Sequence, residues 1–346
     1  MNRINKPARN NGLDLLKLIC AFLVLLSHVY VKKLSGDIYT NFIFIIRIAV
    51  PIFFIITGYF YSYTVSKKTE IKQIIKILKL VITANVLYVV WGIVYRYFTD
   101  VSMRKFVFDK LLNRETIVDF LFFNAVPDAG NHLWYLSALL YALVIVWLLN
   151  KLFKLLKNDK VKTGLIITGA IVLLAVNFCM DEFSEMIGIS LKLMYSRNFL
   201  FAGLPLFLIG VLLFKAKDYL NKIPSFILVV LLFLSFFVGV GEFYYTGNRD
   251  LFISTVVLAV VLFIIFNKIE IEDNVFSKWG SNHSLNIYVI HPMLILIYRD
   301  IVKSLGIAEI LFFFAPFIIF AFSLAISIAF EFIKKKIKLN FRKKTS

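Results

Sequence analysis

The sequence predicts an all-α integral membrane protein of about ten transmembrane helices, both termini cytoplasmic. Three observations predict it. The 346 residues are 60% hydrophobic and 17% charged, with a mean hydropathy of +0.83; soluble domains run near 45–50% and ~25%. Apolar runs of about 20 residues, the length that crosses a bilayer core, recur along the chain. Lysine and arginine gather between alternate runs, the pattern of cytoplasmic loops.

No polar stretch is long enough to fold separately, so 1–346 reads as a single membrane domain, with spans over about 13–333 and a basic cytoplasmic tail over 334–346. The formal charge of +18 does not point to nucleic acid, because the lysines sit between apolar segments. Cys20 and Cys179 are the only cysteines, too few for a disulfide scaffold or a metal knuckle. No small-residue cleavage site follows the basic start, so the first apolar run reads as an uncleaved span.

The ten spans fall at about 13–31, 41–63, 77–98, 132–150, 163–180, 197–214, 223–241, 249–267, 283–299 and 309–333. The six proposed inner segments hold 26 of the 39 basic residues, which sets both termini inside. The weakest inner segment is NKIEIEDNVFSKWGS, between the eighth and ninth spans. The largest outer loop, about Thr99–Asn131, contains ETIVDFLFFNAV, apolar but too short to span. The tail KKKIKLNFRKKTS reads first as a stop-transfer anchor against anionic lipid.

Ionisable groups within spans are functional candidates by default, since burying them costs roughly 2.5–3.5 kcal/mol on insertion scales. The first span, LDLLKLICAFLVLLSH, carries Asp14, Lys17 and His28. Lys17 and His28 lie 11 residues apart, about three turns, so they share one face about 16 Å apart along the axis. Asp14 is on nearly the same face but about 21 Å from His28, too far to orient it. Any dyad partner of His28 must come from another helix. Lysine snorkelling, local pairing of Asp14 and an interfacial histidine are the plain readings; the shared phase argues against all three together.

The second span, FIFIIRIAVPIFFIITGYFY, holds Arg47 four residues before Pro51. Arg47 reads as an outer-leaflet snorkeller or as an anion clamp facing the bundle interior, Pro51 as a kink, and Gly58 as a close-packing site. After it, Lys72, Lys76 and Lys79 share one face of an entering helix: a solvated face, or a phosphate-binding strip at the cytoplasmic mouth. NHLWYLSALL opens the fourth span with His132 and Trp134, interface-belt residues or members of a site, and SRNFLFAGLPLFLIGVLL opens the sixth with Arg197. Glu242, in GEFYYTGNRD, is a weak acid or base candidate. SLNIYVIHPMLIL places Tyr288 and His291 on one face of the ninth span. His283 reads as a plain helix-start residue.

Taken in order, these segments resemble the acyltransferase-3 family of bacterial integral-membrane acyltransferases. Lys17 and His28 fit that family's first-helix signature of a basic residue, ten intervening residues and a histidine. The resemblance continues through RIAVPIFFIITGYF, HLWYL, SRNFLFAGLPLFLIGVLL and SLNIYVIHP, so it spans nearly the whole chain. It implies an O-acyltransferase in the bacterial plasma membrane that moves an acyl group, often acetyl, from cytoplasmic acyl-CoA to a cell-surface glycan or related envelope acceptor. His28 then corresponds to the essential histidine and Lys17 to the motif's basic position. Lys76 and Lys79 stand where the family often has an Arg-x-x-Arg pair; lysine keeps the charge but loses bidentate phosphate geometry. Trp134 matches the fourth-helix tryptophan. Asp14, Arg47, His132, Arg197, Glu242, Tyr288 and His291 are left as substrate, oxyanion or supporting residues. Acyl-CoA is a co-substrate, and no bound cofactor and no metal are expected.

The sequence is also similar to the membrane domain of the vancomycin-resistance membrane-bound serine racemases, which implies an alternative, L-serine uptake. No pyridoxal-phosphate racemase domain is present in these residues, so racemisation is not expected here. A glycan exporter without chemistry is the third class, and it would have no use for His28.

Overall fold

The computed structural model describes residues 9–29, 43–98, 114–123, 128–188, 192, 194–247, 249–306 and 308–344. Among them every regular element is helical: α1 Asn11–His28, α2 Ala49–Ser66, α3 Glu70–Phe98, α4 Arg114–Phe123, α5 Trp134–Phe153, α6 Asp159–Met186, α7 Leu204–Lys215, α8 Lys217–Leu220, α9 Ser225–Thr246, α10 Ile253–Lys268, α11 Val275–Leu305 and α12 Ala308–Lys344. Short 3-10 and π turns precede α5 and α7. Among the described residues, eight helices are long and apolar enough to cross a membrane; two shorter apolar ones, Phe199–Lys215 and Ile253–Lys268, stand at the sixth and eighth predicted spans. Outward-facing Ile, Val, Leu and Phe cover α3, α6, α9 and α12, as expected where lipid rather than water is the solvent.

Two boundaries move. The ninth predicted span begins not near 283 but at Val275, where Asn274 caps the helix by accepting from the Ser277 amide at 2.9 Å. Much of the weak inner loop is therefore helix. His283 is accordingly not a helix-start residue. It is buried against α12, with Nδ1 2.8 Å from Ser327 Oγ and Nε2 3.4 Å from Glu331 Oε2. The basic tail is also helical, continuing α12 to Lys344. Within the large outer loop, α4 is 10 residues long, too short to span.

Glycine sets how closely the helices approach. A Cβ on Gly58 would fall 2.0 Å from the Phe207 carbonyl oxygen, and one on Gly210 2.1 Å from that of Ile55, so α2 and α7 meet backbone to backbone. A Cβ on Gly280 would fall 1.8 Å from the Asp14 carbonyl oxygen, drawing α11 equally close to α1. Small residues are favoured at such crossings because lipid supplies no hydrophobic drive and close van der Waals packing must do the work. Helix α1 is pinned at its start as well. Asn10 accepts from the Leu13 amide at 2.8 Å and donates to the Asn267 carbonyl at 3.1 Å, and Asn11 donates to the Ile271 carbonyl at 2.9 Å.

Candidate functional site

A cavity of about 300 Å³ opens at the His28 end of α1. Six of the candidate site residues named from the sequence line it: His28, Arg47, His132, Trp134, Arg197 and Tyr288. They come from five separate stretches of chain, and local sequence explains how most of them arrive.

Pro51 places Arg47. A proline lacks the N–H that would bond the carbonyl four residues earlier, and its ring crowds that carbonyl. The affected residue is Arg47. The helical turn breaks at Arg47 and Ile48, where the Ile48 amide bonds Ile45 three residues back at 3.2 Å, and regular helix resumes at Ala49. Asn198 places Arg197. Its side chain donates to the Met194 and Tyr195 carbonyls at 3.1 and 2.7 Å and accepts from the Leu200 and Phe201 amides at 2.8 and 2.9 Å. The π turn Phe199–Gly203 follows directly; such turns are frequent at functional sites. His132 ends a 3-10 turn before α5. The Tyr288 hydroxyl donates to its backbone carbonyl, and the Tyr88 ring lies 4.7 Å from its imidazole.

The sequence reading missed Asp250, which organises the charge. Its carboxylate takes Arg47 Nη1 at 2.8 Å and Arg197 Nε at 2.9 Å, with Arg197 Nη2 completing a bidentate pair. The carboxylate is thus held between two guanidiniums inside the bundle. Among the described lining residues, one carboxylate stands between two guanidiniums, a net positive charge. The guanidinium of Arg197 also lies 5.7 Å from the Trp134 ring centre, within cation–π range. The signal for Asp250 was available: two arginines in apolar segments need a counter-charge, and the acid stands at the start of the eighth predicted span.

His28 is the last residue of α1 and is exposed to the cavity. Two other imidazoles surround it, with ring centres 5.3 Å away for His291 and 6.3 Å for His132; those two are 5.6 Å from each other. Among the described residues, no group of His, Cys, Asp and Glu is arranged to hold a metal ion.

A second cavity, about 150 Å³, lies at the other end of the α1 face. Lys17 lines it together with Phe53, Ile56, Thr57, Ile77 and Leu139. Tyr135 and Tyr288 line both cavities, their rings 5.5 Å apart and near-perpendicular, and so form the partition between them. Asp14 is buried and holds Lys17 Nζ at 2.9 Å and Arg9 Nε at 2.8 Å. Its contacts are local to Lys17, as the distance argument required.

The remaining candidates are not brought to either cavity. Lys76 and Lys79 are exposed on α3, which contributes Ile77 to the Lys17 cavity instead. Lys72 is likewise exposed. Glu242 caps α10: its two oxygens accept from the Ile253 and Ser254 amides at 2.7 and 2.9 Å. A carboxylate at a helix N-terminus is favoured by the helix dipole, so the geometry gives Glu242 a structural duty.

Fold and site together define a multi-pass membrane protein with a charged, histidine-bearing chamber inside its helical bundle. The model of the acyltransferase domain family, acyltransferase-3, matches residues 10–332. The chain belongs to that family and is a membrane acyltransferase. No curated protein and no solved structure matches it.

Proposed function

We propose that the protein moves an acyl group, acetyl first, from cytoplasmic acyl-CoA to a hydroxyl of a cell-surface glycan or related envelope acceptor in the bacterial plasma membrane. The observation that carries this reading is the pair of cavities along one face of α1, with Lys17 on one and His28 on the other. A donor entering from the Lys17 side would keep its phosphates near that cation and the exposed Lys76 and Lys79. Its thioester would travel up the narrow, mainly apolar chamber toward Tyr135 and Tyr288.

In this scheme the acceptor hydroxyl gives its proton to a neutral His28 nitrogen as its oxygen attacks the thioester carbonyl. Arg47 and Arg197 stabilise the oxyanion that develops. Collapse forms the ester, breaks the carbon–sulfur bond and releases CoA thiolate, to which His28 returns the proton. Histidine suits this cycle because its ordinary pKa lies near neutrality.

The test is acetyl transfer from radiolabelled acetyl-CoA to envelope material in membranes carrying the full chain. His28→Ala is expected to lower the rate by about 10²–10⁴-fold, the usual worth of a general base. Full activity in that variant removes His28 from the chemistry. Labelled L-serine uptake without any acetyl transfer by the native chain overturns the whole reading.

A further inference from the structure

We propose that His291 is the positioning partner of His28, accepting a His28 N–H on its own Nε2 and so fixing which nitrogen of His28 offers a lone pair to the cavity. This rests on the acyl-transfer reading above. Four observations carry it.

The first is the state of His291 itself. It is fully buried, and its Nδ1 lies 3.1 Å from the Ile287 carbonyl oxygen. A carbonyl only accepts, so Nδ1 carries the hydrogen. In the neutral ring Nε2 therefore holds a lone pair, and it is buried with no hydrogen-bond partner among the described residues. An unsatisfied buried acceptor is costly and calls for a donor.

The second is distance. Two imidazoles hydrogen-bonded edge to edge have centres roughly 5 Å apart, the donor–acceptor distance plus two ring radii. His28 and His291 stand at 5.3 Å with a 42° tilt, so a ring rotation brings the nitrogens together. His132 also has a bare Nε2, but its ring is 6.3 Å away at 81°.

The third is the lack of a rival carboxylate among the described residues. Asp250 is the one described carboxylate that lines the cavity, and both its oxygens are taken by Arg47 and Arg197. Asp14 is held by Arg9 and Lys17. The fourth is need. The proton position on an imidazole is set by the hydrogen bond its other nitrogen makes. A base whose tautomer is unset spends part of its time with the wrong nitrogen facing the acceptor.

The proton accounting closes without any further reactant. Neutral His28 donates one N–H to His291 and receives the acceptor proton on the other nitrogen. It then delivers that proton to the CoA sulfur. His291 keeps its own proton on Nδ1 throughout and ends unchanged.

The chain has four histidines, so selective ¹⁵N-histidine NMR of the full-length protein in nanodiscs can follow His28 directly. A single His28 tautomer is expected in the native chain, a mixture in His291→Phe, and a single tautomer again in His291→Gln, whose amide oxygen can accept. With radiolabelled acetyl-CoA, kcat in His291→Phe should fall about 100-fold, less than the ~10⁴-fold seen when a carboxylate-held base loses its tautomer. KM for acetyl-CoA should stay within twofold, and His291→Gln should recover most of the rate. If His291→Phe does not assemble, His291→Met against His291→Gln makes the same comparison. An unchanged His28 tautomer and kcat without His291 overturn the inference. So does a tautomer that responds to His132→Phe instead. An inactive native chain whose His28 tautomer still depends on His291 fails the acyl-transfer reading alone.

Discussion

Asp250 illustrates how one side chain governs a site through its neighbours. Its carboxylate is held by two guanidiniums, those of Arg47 and Arg197. Removing one partner from a buried ion pair strands the others and typically costs about 3–5 kcal/mol. Asp250→Asn should therefore lower the melting temperature and let Arg47 and Arg197 splay apart. An unchanged melting temperature in Asp250→Asn would contradict the assignment. Lys17 is a second case at this scale. Asp14 fixes its ammonium at the smaller cavity, so on the proposed function Lys17→Met should raise the KM for acetyl-CoA severalfold while changing kcat little.

At the level of elements, breaks in helices matter as much as the helices. Pro51 interrupts α2's approach just where Arg47 must leave the helical path. Restoring the amide in Pro51→Ala should extend regular helix through Arg47 and carry its guanidinium away from Asp250. The expected outcome is reduced acetyl transfer in a protein whose melting temperature holds or rises; unchanged activity would mean that the break does not place Arg47. Close crossings behave oppositely. Gly58→Val would drive side-chain atoms into the Phe207 carbonyl, an overpacking that costs about 1–3 kcal/mol or more. A melt should show it as a clear loss of stability.

Across the whole molecule, the two cavities meet at Tyr135 and Tyr288, and the direction of transfer depends on which end faces the cytoplasm. The native cysteines offer a direct check. Cys179 is exposed within a turn of Glu182 at the end of α6, whereas Cys20 is buried in α1. With the termini inside, a membrane-impermeant maleimide added to intact cells should label Cys179 and spare Cys20, and Cys179→Ser should abolish labelling. Labelling only after the cells are opened would reverse the orientation.

What the sequence determined by itself was whatever depends on one stretch at a time. Apolar length placed the spans, helical periodicity put Lys17 and His28 on one face, and Pro51 and Gly58 marked a break and a crossing. Their types and spacing were enough to select six residues that converge on one chamber. Tertiary structure decided the partners, because an ion pair such as Arg47–Asp250 or a contact such as His28–His291 joins segments hundreds of residues apart and leaves no local period. It also separated residues that looked alike in the sequence. Glu242 and Asp250 stand eight positions apart near the same turn; one caps a helix and the other holds two arginines. Which duty each has depends on whether a backbone amide or a guanidinium arrives opposite, and only the packing of the bundle settles that.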